Sequence, residues 1–320
     1  MKLSNISKII NAEFSGNGEF EVVGISSVEK PKRNMITFVE NPKKISNPDL
    51  CGALLIPKKF FNDFKGFNLL LSDNPRLDFA KLTNIFSKNL VLTESVSIEN
   101  FDKLNISFGA ESKIGKNFIC GRNVIIGNNV HIGNNVLIGD NAIINSNVIL
   151  GNNVKIGQGT VVGSEGFGNV RIDDGSWKHI GHLGGVSISD NVSIGSNCTI
   201  DRGTIDNTEI HEGVVIDNLV HIAHNVVIGK NTAIAAKVGI AGSCIIGKRN
   251  MIGGMVGIVD HIKTADDVII SATSTVNNDL NESGIYTGIM PISKHASWKR
   301  IALWITKLDK IAKFLNLKKI

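Results

Sequence analysis

The chain has 320 residues, 42% hydrophobic and 20% charged, a composition that can bury a core and excludes a disordered chain. Its 34 Lys and Arg stand against 29 Asp and Glu, so composition gives no reason to expect a nucleic-acid partner. The excess is local: residues 291–320 hold eight basic side chains against Asp309 alone, a charge of +7 that leaves −2 for the rest.

The opening segment MKLSNISKIINAEF lacks the long apolar stretch of a secretory signal. No apolar run reaches the ~18–20 residues that a membrane span needs, so no transmembrane segment is expected. Cys51, Cys120, Cys198 and Cys244 are far apart with no C-x-x-C pair, which fits a reducing compartment and a cytoplasmic location. Residues 1–105 read as a small α/β domain. FEVVGISSV, NMITFVE and CGALLIP have the character of strands. NPRLDFAKLTNIFSKNL has helical spacing at Leu77, Ala80, Leu82 and Ile85, after an Asn74-Pro75 start that suits the first helical positions. Five of the six prolines precede residue 76, and none lies between Pro75 and Pro291. A stretch that never surrenders a backbone N–H suggests unbroken strand ladders.

From residue 106 to 290 a period of six dominates. Ile114, Cys120, Ile126, Ile132, Ile138, Ile144, Leu150, Ile156 and Val162 step by six residues. At this composition a fixed frame would do so by chance in roughly 4 of 10,000 cases. Gly usually follows each, and the fourth residue on is usually Val or Phe. The series pauses at GSEGFGNVRIDDGSWKHIGHLGG, resumes at Ile188, and after a four-residue insertion runs from Ile210 to Ile258. This period predicts a parallel β-helix: three six-residue units close a triangular coil, aliphatic side chains stack inside, and Gly and Asn take the corners for their left-handed freedom. Residues 291–320 change period. Trp298, Ile301, Trp304, Ile305, Leu308, Ile311 and Leu315 share one helical face, predicting amphipathic helices that cover the last coil.

In so regular a scaffold the exceptions carry the information. The slot two places after the inward aliphatic holds Asn128, Asn134 and Asn152 in ordinary repeats. In IDNLVHIAHNVVIG it holds His224, Gly242 lies one coil on, and His261 falls within one residue of the next coil's equivalent, so the three should form a column. Asp217, seven residues before His224, is expected to reach back toward an imidazole. A carboxylate-backed His beside an accessible Gly N–H suits general-base acyl transfer. His131 and His221 should face outward; His179, His182, His211 and His295 read as loop or tail residues. His221 and His224 have the H-x-x-H spacing of some zinc sites, but zinc requires a third ligand and none is evident, so no metal is expected.

The segments ITFVENPKK (36–44), VVGSEGFG (161–168), CTIDRGTIDNT (198–208), IDNLVHIAHNVVIG (216–229) and the Pro-started basic tail resemble the UDP-3-O-(3-hydroxyacyl)glucosamine N-acyltransferases of lipid A synthesis over nearly the whole chain. The resemblance implies a uridine-nucleotide-binding domain at 1–105, a left-handed β-helix at 106–290, C-terminal helices at 291–320, and a homotrimer in the cytoplasm of a Gram-negative bacterium. It implies transfer of a 3-hydroxyacyl chain from the phosphopantetheine thioester of acyl carrier protein to the 2-amino group of a UDP-3-O-acyl-glucosamine, with no other cofactor. His224 matches the family's general base, Asp217 its orienting carboxylate, Gly242 its oxyanion donor and His261 an assisting histidine. Phe38 and Asn41 match its nucleotide pocket; Lys44 stands where the family has Tyr, leaving a lysine stem in place of half an aromatic sandwich. The alternatives are a related O-acyltransferase acting on a UDP-amino sugar, which the N-terminal domain weighs against, and a zinc hydratase on the same scaffold.

Overall fold

The computed structural model describes residues 1–41, 45, 47–87, 104–289 and 292–315. The chain divides into two compact units, Met1–Thr93 and Glu94–Ile320.

The first unit is built on α1 (Leu3–Ile10), β1 (Glu13–Ser15), β2 (Gly24–Ser26), β3 (Met35–Phe38), β4 (Ala53–Pro57), β5 (Leu69–Ser72) and α2 (Pro75–Ser87). Its sheet runs β1-β5-β4-β3-β2, parallel except for the antiparallel β1–β5 pair. The central strands are buried on both faces, which is why CGALLIP and FNLLLS are continuous apolar runs. Helix α2 forms where expected, but with a different inner face: Leu77 is exposed and Asp78 is buried. The Asp78 carboxylate accepts from the Ser72 hydroxyl at 2.5 Å and pairs with Lys81 at 2.8 Å, which satisfies the buried charge. Leu82 then enters the core beside Leu3, Ile6 and Ile10.

In the second unit, three parallel sheets of seven, nine and nine strands collect every third repeat. The register keeps like on like: Ile126 pairs with Ile144, and Ile144 with Val162. The stepped aliphatics from Cys120 on and the Val four places on are buried in one continuous core, with Ile114 half-buried at its edge. The two corner residue types divide their tasks, contrary to the expectation that both supply left-handed backbone. Asn123, Asn129, Asn135 and their equivalents hold φ near +55°. The Gly of the repeat does not: it is needed because coils touch there. A Cβ on Gly127 would lie 2.5 Å from the Ser146 nitrogen, and one on Gly133 would lie 2.5 Å from the Gly151 oxygen. The left-handed asparagines also stack, with Asn117 donating to Asn135, Asn135 to Asn153 and Asn153 to Asn191 at 2.8–3.1 Å.

Helices α3 (His295–Ile305) and α4 (Leu308–Phe314) form where the change of period placed them. They do not cover the core as expected. Trp298, Trp304, Ile305 and Leu308 are exposed, and Leu280 and Tyr286 instead pack against the final coil. These two follow the last repeats directly and reach the open end before the helices begin. Among the described residues no helix is long and apolar enough to cross a membrane.

Candidate active site

His224, Gly242 and His261 follow three strands stacked in one sheet, His221–Ile222, Gly239–Ile240 and Gly257–Ile258. The period therefore brings all three to one corner, as expected. Ser243 donates to the His224 carbonyl and His261 to the Gly242 carbonyl, both at 2.9 Å. The three border a groove of about 620 Å³, with Phe167 and Asp260 on its rim. His261 occupies the left-handed slot at φ +60°, one place beyond the slot of His224 and Gly242.

Two departures from the repeat open this corner. In ordinary coils the side chain at the second slot caps the N–H of its equivalent one coil earlier: Asn134 accepts from Lys116, Asp140 from Arg122, and Asp266 from Lys248, at 2.7–2.8 Å. Asp260 occupies that slot above Gly242, yet the Gly242 N–H donates to no group among the described residues. Second, the outward position before the inward Ile is Gly239 and then Gly257, paired in register between His221 and Thr275. Neither has positive φ, and a Cβ on either would meet nothing within 4 Å. Neither backbone geometry nor packing requires glycine there; what the missing side chains leave is a smooth trough.

The orientation of His224 is set by Asn225, a residue the sequence reading passed over. The Asn225 Oδ1 accepts from the Thr204 N–H at 2.9 Å, while its Nδ2 donates to the Asp206 carbonyl at 3.1 Å, so the amide cannot turn over. That oxygen lies 3.2 Å from the His224 Nδ1, which must therefore carry the proton. The Nε2 is left as a free acceptor over Gly242, where a Cβ would come within 2.7 Å of it. Only the Asn directly after the unusual His could have signalled this in the sequence.

Asp217 is not brought to His224 within the chain, which corrects the expected reach. It follows the strand Val215–Ile216 on a different sheet, and its carboxylate accepts from the adjacent Asn218 N–H at 2.7 Å. Seven residues is one side of the triangle plus one, so that spacing leads to another corner. His131 and His221 face outward, as expected. The His221 Nδ1 lies 2.7 Å from the Thr199 hydroxyl, and its Nε2 lies 3.7 Å from Asp201.

His182 lies in a loop, as the sequence suggested, but it is buried rather than solvated. It is 6% exposed and packs edge-on against His224 with ring centroids 5.2 Å apart. Burial first, and the neighbouring His224 second, push its pKa below the usual histidine range. It comes from the segment that interrupts the repeat, a hairpin of Asn169–Arg171 against Trp177–His179. The segment is fastened where Arg202 donates to the Gly163 and Ser146 carbonyls and Asp201 accepts from Ser164 at 2.6 Å. In the first unit, Phe38 stacks on Phe79 at 4.6 Å and packs half-buried against the core, and Asn41 lies just beyond β3. Lys44 lies outside the described residues.

A family model described as bacterial transferase hexapeptide (six repeats) matches residues 129–164 and 207–242. The UDP-3-O-acylglucosamine N-acyltransferase of Vesicomyosocius okutanii is 45% identical over 99% of this chain and 97% of its own length. That of Saccharophagus degradans is 42% identical over 96% and 94%. Among solved structures, the UDP-N-acetylglucosamine O-acyltransferase of Moraxella catarrhalis is 25% identical with a TM-score of 0.51, covering 57% of this chain and 70% of that one.

Proposed function

This chain belongs to the UDP-3-O-acylglucosamine N-acyltransferase family, and on that premise we propose that His224 is the general base of an acyl transfer to an amine at the Gly242 corner. The observation that carries this reading is the free Nε2 of His224 standing over the α-carbon of Gly242, whose N–H has no partner among the described residues. The acceptor's neutral 2-amino group attacks the carbonyl carbon of a 3-hydroxyacyl thioester, and His224 Nε2 takes the proton as the C–N bond forms. The Gly242 N–H donates to the oxyanion, and collapse breaks the C–S bond, with the imidazolium proton available to the departing thiolate. The trough over Gly239 and Gly257 suits an extended, unbranched chain. His261 borders the groove at the corner's far edge, where it can assist with the sugar or its phosphates.

The donor in this reading is acyl carrier protein, an acidic partner for the +7 tail of residues 291–320. The acceptor is a UDP-3-O-acyl-glucosamine, with Phe38 and Asn41 serving its nucleotide end. The uncovered face of Trp298, Trp304, Ile305 and Leu308 supports assembly with further copies, the family's homotrimer. Four free cysteines fit a cytoplasmic site of action.

A sister O-acyltransferase is the second reading, because the Moraxella enzyme shares the β-helix. Full-length agreement with named N-acyltransferases, N-terminal unit included, favours the amine. Purified protein given 3-hydroxyacyl–acyl carrier protein and either UDP-3-O-acyl-glucosamine or UDP-N-acetylglucosamine separates them by mass spectrometry. Amide product that is lost in His224→Ala supports the proposal. Ester product alone transfers the chain to the sister chemistry, and equal rates in both proteins remove His224 from it.

A further inference from the structure

The segment that interrupts the repeat brings together three groups that the acyl transfer above does not use. The Glu165 carboxylate lies 2.8 Å from the His179 Nε2, and the His182 backbone N–H donates to the same oxygen at 3.3 Å. Glu165, His179 and His182 each offer one ligand atom, and the three atoms lie within 4.8 Å of one another. The third ligand is the telling one. His182 is 94% buried, yet neither ring nitrogen has a hydrogen-bond partner of good geometry, the Ile180 carbonyl lying close enough only for a weak contact. Leaving a buried polar atom unpaired costs on the order of 1–3 kcal/mol, so a ring held this way is a conspicuous exception. The glycines around it fit a fixed ring: a Cβ on Gly168 would lie 2.6 Å from the His182 Cε1, and one on Gly166 3.0 Å from its Nε2.

We propose that Glu165, His179 and His182 form a binding site for a divalent transition ion of the zinc class, which pins the 163–185 segment beside the groove. Two imidazoles and one carboxylate are the donors that borderline ions take, with water completing a tetrahedron. Hard ions such as magnesium would want more oxygens. Ligand bonds of about 2.0–2.1 Å bring tetrahedral donors within roughly 3.4 Å of each other, so the site must close by about 1.4 Å at its widest. The half-exposed Glu165 and His179 side chains can make that movement, while His182 stays packed. Binding replaces the Glu165–His179 hydrogen bond with two coordinate bonds and gives the orphaned imidazole a partner. It also ties both ends of the hairpin to the segment that carries Phe167, whose ring is 84% exposed on the groove rim. The ion is thus a clasp on the loop, and the acyl transfer draws no step through it.

Tag-free protein, stripped with chelator and dialysed, is titrated with zinc by calorimetry, and cobalt(II) is added in a parallel spectroscopic titration. The expected result is one ion per chain with a Kd below about 1 µM, and a tetrahedral cobalt absorption band. His179→Ala and Glu165→Gln lie on the exposed hairpin and loop, so neither threatens the fold, and each should weaken binding at least about tenfold. His221→Ala and Cys51→Ser, which alter other possible donors, should leave the affinity unchanged. Absence of binding up to about 100 µM, or affinity unchanged in both His179→Ala and Glu165→Gln, overturns the site. Loss of binding only in His221→Ala or Cys51→Ser overturns it equally, since the ion would then sit elsewhere.

Discussion

The ring of His224 stands over the α-carbon of Gly242 one coil on, so close that a methyl group built there would lie 2.6 Å from Cε1 and 2.7 Å from Nε2. Glycine at 242 is therefore what allows the imidazole to reach over the corner. Gly242→Ala should displace the ring by an ångström or so and lower the acyl-transfer rate on the order of 10²-fold, with the melting temperature nearly unchanged. His224→Ala should cost about 10²–10⁴-fold. A Gly242→Ala enzyme with wild-type turnover would show that the stacked ring takes no part in the rate.

The Asn225 amide gives a test of tautomer rather than of presence. It fixes the proton on the His224 Nδ1 through an oxygen already held by Thr204. Asn225→Ala should lower kcat about tenfold or more with KM little changed. Asp217, held by its own neighbour Asn218 on another sheet, should tolerate Asn with a loss of no more than a few-fold. Steady-state kinetics on the two variants decides between the two partners. A collapse in Asp217→Asn would mean that the carboxylate meets the base from a neighbouring copy of the chain.

The β-helix and the His224–Gly242–His261 column were legible in the sequence because a period of six converts linear spacing directly into position: residues 18 apart must stack. The same arithmetic sets Asp217 apart, since seven residues is about one side and only three sides return the chain to the same corner. His182 was illegible for a different reason. It lies in the one segment without period, and its burial depends on how that hairpin folds back over the corner. The glycines were visible but misread. Composition shows that Gly recurs, and only the structure shows that coils touch at one slot and that Gly239 and Gly257 are open for another reason.

That distinction predicts opposite outcomes for similar substitutions. Gly133→Ala puts a Cβ 2.5 Å from the Gly151 carbonyl oxygen, backbone that cannot yield cheaply, and should destabilise the protein by about 1–3 kcal/mol. Gly257→Val has free space and should leave the melting temperature unaltered while filling the trough. Its effect should fall on the acyl donor, as a raised KM or a preference for shorter chains. Thermal melts with donor kinetics check both halves, and an unaltered donor profile in Gly257→Val would mean that the chain does not lie there.

The cysteines provide a test of the core that needs no substrate. Cys120, Cys198 and Cys244 fill inward positions of the prism, and burial raises all three thiols, that of Cys120 to about 11. A raised pKa means that the reactive thiolate is scarce below it. At pH 8 a group with pKa 11 is roughly one part in a thousand thiolate, and the close-packed coils add a steric barrier. Cys51 belongs to the other unit and is partly exposed, although burial raises its thiol as well. A thiol reagent at pH 8 should therefore modify at most one cysteine per folded chain on the minute scale, and four after denaturation. Raising the pH toward 10 should speed the reaction of Cys51 while the other three stay protected. Rapid modification of two or more thiols in the native protein at pH 8 would mean that the coils open far more readily than their continuous packing implies.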